Sequence, residues 1–224
     1  MSAKIRKNET RGVFFMKHLT NLSCTDFAAA LAARESVPGG GGAAAMVGAL
    51  SAALCSMAAN FTAGKKKYAA YEEDIQRILV EAEALRLCLL DLVEADAAGF
   101  EPLAKAYAIP KDDPSRDVVM MQATLTACAA PMQMLFVCGD VLCLLEELLE
   151  KGSRLLLADV GCGAYLCKAA MECAALSVFV NTGTLKNREM AAEMERQVDM
   201  ILKTYLPMAD RIAASVSAFV RKED

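Results

Sequence analysis

Two aspartates stand where apolar residues belong. Tyr71, Ile75, Ile78, Ala82, Leu85, Leu89, Leu92, Asp96, Gly99 and Leu103 are spaced alternately four and three, which is one face of a long helix. Leu155, Asp159, Cys162, Leu166, Ala169, Cys173, Leu176 and Val180 repeat that spacing, so Asp159 also falls on a face that reads as buried. An unpaired carboxylate in apolar surroundings is costly and holds its proton more tightly. Such a group is a candidate general acid or base. Alternatively, each aspartate caps a helix or pairs with a neighbour such as Arg116 or Arg154.

A second set of residues suits an anion. Pro38 is followed by Gly39, Gly40, Gly41 and Gly42, then by a small-residue helix, then by Gly64 and three lysines, Lys65, Lys66 and Lys67. No charge lies between Glu35 and Lys65. Glycines opening a helix let a ligand approach closely and aim free N–H groups and a positive dipole end at it. The lysines add point charges that suit carboxylate or phosphate. Arg116 and Lys186 are further cationic candidates. Asn181, after an apolar helix, can bind or simply cap. The glycine run is neither a P-loop nor a dinucleotide fingerprint, because no Gly-Lys-Ser/Thr closes it and no strand precedes it. His18 is the only histidine, which nearly excludes a histidine metal site or a Ser-His triad, so no metal is expected.

The whole chain limits the rest. Its 224 residues suit one large domain or two small ones, and 55% hydrophobic with 23% charged residues rule against disorder. A net charge of −4 and the absence of tryptophan argue against a nucleic-acid partner. Eight of the nine cysteines sit in apolar helical stretches, which reads as buried, reduced thiols in a cytoplasmic protein. Two uncharged runs, 36–64 and 118–139, are long enough to span a membrane. The first is Ala/Gly-rich and carries Asn60, and the second carries Gln122, Pro131 and Gln133. Both therefore read as helices buried in protein, at the core or at a subunit contact, and no membrane partner is expected.

Residues 1–15 are polar, basic and without periodicity, and read as a disordered tail or start-site extension. A short helix capped by Ser23 or Thr25 follows, then the 36–42 loop and its helix. The long helix from Tyr71 ends at Pro110. The next runs from about Arg116 to Glu150, bent at Pro131; another takes Arg154 to about Val180; the last carries Met190 to Phe219 across Pro207. No alternating strands appear. The expected architecture is all-α, a single domain over 16–224 built as a bundle of about six helices.

The string SVPGGGGAAAMVGALSAALCSMAANFTAGKKKY, then VEADAAGF with Asp96, AIPKD at Ala108–Asp112, ADVGCGAYLCKAAMECAA with Asp159, and VNTGTLKN at Val180–Asn187 resemble the cyclodeaminase/cyclohydrolase family. That family comprises the C-terminal half of formiminotransferase-cyclodeaminase and the stand-alone methenyltetrahydrofolate cyclohydrolases. The resemblance implies an all-α homodimer acting at a one-carbon unit on tetrahydrofolate, with the folate as substrate and no tightly bound cofactor. It implies catalytic roles for Asp96, Asp159 and Lys66. Binding roles fall to Pro38, Gly39 to Gly42, Lys65, Lys67, Arg116, Asn181 and Lys186. The two activities differ in the attacking group, a folate nitrogen that expels ammonia or water that opens the methenyl ring. Four positions depart from the family's usual residues: Gly42 where Ser is usual, Ser177, Gly183 and Ser153. They leave open a second reading, a catalytically altered relative that binds folate or a similar anion.

Overall fold

The computed structural model describes residues 18–222, so the expectation for residues 1–15 lies outside them. Six α-helices follow one another: α1 Cys24–Leu31, α2 Gly40–Asn60, α3 Glu72–Tyr107, α4 Arg116–Lys151, α5 Leu157–Thr182 and α6 Arg188–Arg221. Short 3-10 turns precede α1, α3 and α5, and no strand occurs among the described residues. The all-α expectation is met.

Local chemistry explains the boundaries. Ser23 caps α1, its hydroxyl accepting from Asp26 N at 3.1 Å. Three acids, Glu72, Glu73 and Asp74, open α3, and Lys105 lies in its last turn, both matching the helix dipole. Asn187 caps α6 by accepting from Met190 N. Pro102, Pro131 and Pro207 are accommodated inside α3, α4 and α6.

α4 runs through the core, with Met134, Leu135, Cys138, Leu142, Leu145 and Leu148 almost fully buried. Small residues let other helices close on it and on each other. A methyl at Gly48 of α2 would sit 3.1 Å from both Cys138 Sγ and Leu89 Cδ2. α2 and α5 lie side by side and antiparallel, since Ser51 Oγ donates to Gly163 O at 2.8 Å while Asn181 and Gly39 line one cavity.

Three sequence expectations need correction. The glycines are not a loop before the helix: α2 starts at Gly40, so three of the four form its first turn. The α5 stripe from Leu155 to Val180 is not buried. Leu155, Leu176 and Val180 are 83%, 63% and 70% exposed, and α5 instead buries Val160, Ala164, Cys167, Met171, Ala174 and Val178. α5 is apolar on almost every side, so spacing alone does not tell which side meets the core. Cys55, Cys128, Cys138 and Cys167 are buried, but Cys143, Cys162 and Cys173 are exposed; all nine thiols are free.

By length and composition α2, α4 and the segment Arg154–Thr182 are each apolar enough to cross a membrane, one more than the two uncharged runs of the sequence.

Candidate active site

A cavity of about 550 Å³ lies where the N-terminus of α2 meets α3, α4 and the C-terminal half of α5. That size suits a small organic ligand. Asp96 and Phe100, one turn apart on α3, form one wall. Gly39, Gly40 and Gly41 form the floor, Ala127 comes from α4, and Cys173, Ser177, Val180 and Asn181 come from α5. Among the described residues Asp96 is its one charged side chain, and the rest of the lining is largely apolar.

The Asp96 carboxylate rests on the first turn of α2 and accepts a hydrogen bond from Gly42 N–H. A side chain at Gly41 would collide with it, so the glycine is what lets the acid approach the backbone. Burial pushes the Asp96 carboxyl above the ordinary carboxylate range, and the Gly42 N–H pulls it part of the way back. The result is a desolvated carboxylate with enhanced basicity, held by a helix N-terminus and facing an apolar chamber.

The other sequence candidates fall into three places. Gly39, Gly40, Gly41 and Asn181 line the cavity with Asp96. Asn181 is held by its own amide, which donates to Ala127 O at 3.4 Å. Pro38 and Gly42 stand just behind that lining, and a Cβ at Gly42 would be 3.6 Å from Pro38 Cβ.

Lys65, Lys66 and Lys67 lie elsewhere. The 21 residues of α2 span about 30 Å, and the lysines follow its far end. There the chain is tied to the start of α5: Thr62 Oγ1 accepts from Ser153 N at 2.8 Å, and the Tyr68 hydroxyl accepts from Arg154 N at 3.1 Å. Asp159, in the first turn of α5, belongs to that same end. Within one chain the structure does not bring Asp159 or the three lysines to Asp96.

Arg116 and Lys186 are in a third place, a smaller cavity of about 350 Å³ beside the start of α4. Arg116 is not free for an anion, because it donates to the carbonyls of Ile109 and Tyr107 and clasps the α3–α4 loop. Lys186 Nζ is 2.7 Å from Asp117 Oδ2.

Phe100, Ser36, Cys173 and Ser177 were missed as lining residues. Phe100 had a signal, since it lies four residues beyond Asp96 and so on the same face of α3. Ser36 and Cys173 had none, and Ser177 stood out only as one of the four departures from the family's usual residues. The buried thiols are poor nucleophiles: burial pushes Cys55 up to about 12 and Cys128 up to about 11.

Fold and cavity together define a helical-bundle protein with a single desolvated acid in a small-molecule chamber. Residues 23–200 match the family model described as formiminotransferase-cyclodeaminase, and the chain belongs to that family. It is 34% identical over 204 residues to a methenyltetrahydrofolate cyclohydrolase of Methylorubrum extorquens, covering 89% of this chain and 98% of that protein. It is 26% identical to the formimidoyltransferase-cyclodeaminase of Mus musculus, covering 92% of this chain but 38% of that longer protein. The crystal structure of a formiminotetrahydrofolate cyclodeaminase from Thermotoga maritima is similar with a TM-score of 0.79 and 30% identity, over 90% of this chain and 99% of that one.

Proposed function

We propose that this protein is a cytoplasmic, homodimeric folate enzyme that hydrolyses methenyltetrahydrofolate to formyltetrahydrofolate, with Asp96 as its proton-transfer group. The observation that carries the reading is the desolvated Asp96 carboxylate over the α2 N-terminus in a chamber of small-molecule size. The 34% relative that is matched over 98% of its own length supports the hydrolase form.

The chemistry follows from that carboxylate. The methenyl carbon sits in an amidinium cation, which a carboxylate in an apolar chamber attracts more strongly than water would. Asp96 takes a proton from the attacking water as the C–O bond forms. That proton then passes to the folate nitrogen as its C–N bond breaks, and the hydroxyl on the one-carbon unit gives up its own proton to solvent as the formyl C=O forms, which opens the ring and restores the carboxylate. Phe100 offers an aromatic edge to the pterin, and Asn181 offers a fixed amide. The negative balance of the chain makes a nucleic-acid partner an unsuitable occupant.

The 30% identical cyclodeaminase structure favours a second reading on the same residues. There a folate nitrogen attacks the formimino carbon, Asp96 receives its proton, and the proton leaves with ammonia. Incubating purified protein with methenyltetrahydrofolate and, in parallel, with formiminotetrahydrofolate separates the two. Decay of the methenyl absorbance faster than in buffer supports the hydrolase. Ammonia release with appearance of that absorbance supports the deaminase. Folate binding without either turnover leaves the altered relative, and neither binding nor turnover contradicts all three.

A further inference from the structure

The chain reaches the Asp96 cavity along a strap that is anchored at both ends and loosely held between them. At its start, the Thr20 N–H and hydroxyl both donate to Glu94 Oε1, at 3.0 and 3.2 Å, and Glu94 stands two residues before Asp96 on α3. At its end Pro38 is buried, and Gly39 begins the cavity floor. Between these anchors α1 buries no residue, and of its side chains Phe27 leans on the core half-buried. Residues 31–36 are all exposed, and the last of them, Ser36, lines the cavity.

Arg34 rides on that strap. It is two residues from Ser36, at most about 7 Å of chain, and it makes no hydrogen bond or ion pair among the described residues. Other cations near the lining are occupied. Lys168, next to Ala169, is tied to Asp210 at 2.7 Å, and Lys105 is tied to Glu101 at 2.7 Å. Lys186 pairs with Asp117, and Arg116 is held by backbone carbonyls. Lys65 to Lys67 follow the far end of α2. Within one chain, Arg34 is the unpaired cation in reach of the cavity mouth.

We infer that Arg34 receives the carboxylate end of the substrate as the strap settles over it, and so sets affinity for a charged tail rather than the rate of the chemistry. The inference rests on the folate reading, in which the ligand carries a cation at its one-carbon unit and carboxylates at its opposite end. The protein has the matching order: Asp96 inside, over the first turn of α2, and Arg34 outside, at the rim. A ligand entering backwards would set its carboxylates against Asp96, so the two charges select one direction of entry. A guanidinium suits the task, because its planar fork takes a carboxylate through two parallel hydrogen bonds and stays charged at any working pH. Glu35, the neighbouring charge on the strap, repels the same group.

The test uses the full chain and compares substrates with and without the tail. The substrate is whichever of methenyl- and formiminotetrahydrofolate the wild type turns over, set against the same compound built on pteroate, which lacks the glutamate. Arg34→Gln should raise KM for the folate about tenfold, the span of a charge-assisted contact near solvent, with kcat changed less than about twofold. For the pteroate compound it should match the wild type. Arg34→Lys should fall between, since it keeps the charge and loses the fork. Added salt should remove much of the wild type's advantage over Arg34→Gln. Glu35→Gln should leave KM level or lower it. An unchanged KM in Arg34→Gln overturns the assignment. So do equal losses on both substrates, or equal losses from Arg34→Gln and Glu35→Gln.

Tryptic cleavage after Arg34, located by fragment mass, reads the strap without turnover. Saturating tetrahydrofolate should slow that cut and tetrahydropteroate should not; a cut unaffected by bound tetrahydrofolate overturns the settling of the strap. Where the wild type binds folate without turnover, Kd for tetrahydrofolate takes the place of KM. A wild type that neither binds nor turns over a folate sinks the folate reading and this inference with it. A wild type that does so, beside an Arg34→Gln variant of equal affinity, sinks the inference alone.

Discussion

The carboxylate of Asp96 fills the space in which Gly41 has no side chain. A Cβ at Gly41 would lie 2.7 Å from Asp96 Oδ2 and closer still to Oδ1. The glycine in the first turn of α2 and the acid on α3 are therefore two halves of one device. One removes bulk so that the other can reach the helix N-terminus.

Gly41→Ala should displace the carboxylate without unfolding the bundle. Alanine is the better helix former by about 1 kcal/mol, which offsets part of the strain. A loss of 100-fold or more in kcat/KM with Tm changed by only a few degrees is expected, because ångström-scale misplacement of a reacting group costs about that much. Steady-state kinetics beside thermal melts check it.

Asp96→Asn should stabilise the fold at neutral pH while removing activity. The folded-state pKa of Asp96 is raised, so its contribution to stability is complete below the unfolded value, about 3.9, and is lost as pH rises through the folded one. Asparagine has no such dependence. The variant's Tm should exceed that of the wild type at pH 7, by about 2–4 °C per kcal/mol in a chain of this size, and the gap should close towards pH 3. Melts across that pH range read it.

Gly42→Ser should be tolerated and should tune the acid. The new Cβ would be 3.9 Å from Asp96 Oδ2 and in ordinary contact with Pro38 and Val93. Its hydroxyl can donate to the carboxylate, which lowers the Asp96 pKa. The acid limb of the kcat/KM profile should move to lower pH than in the wild type, with Tm held or slightly raised.

Thr62→Val tests the clasp at the other end of α2. Thr62 and Ser153 are both buried, and the Ser153 N–H has the Thr62 hydroxyl as its acceptor. Valine leaves that donor unpaired at a cost of roughly 1–3 kcal/mol. Urea denaturation should show a lower midpoint at unchanged slope.

Much of the candidate site was legible in the sequence. Asp96 was found because a carboxylate broke a regular apolar stripe, and the glycines were found because their clustering is rare. The α3 stripe was read correctly, since polar residues such as Glu81 and Arg86 mark its solvent side. α5 carries only three charges, Asp159, Lys168 and Glu172, too few to mark its outside clearly, and Leu155, Leu176 and Val180 were assigned to the core although they face outward. Lys65 to Lys67 were placed with the glycines because they flank the same helix. α2, 21 residues long and so about 30 Å, carries the glycines at its start and the lysines beyond its end, a separation that only three dimensions reveal. Arg116 was a candidate cation, but backbone carbonyls of its own loop occupy it.

Turnover by the Asp96→Asn variant decides the central assignment. With methenyltetrahydrofolate at a saturating level, wild type should clear the methenyl absorbance well above the buffer rate, and the variant should bind the folate yet fall by at least about 10²-fold in kcat, the span of a lost proton-transfer group. A variant that keeps the wild-type kcat would remove Asp96 from the chemistry.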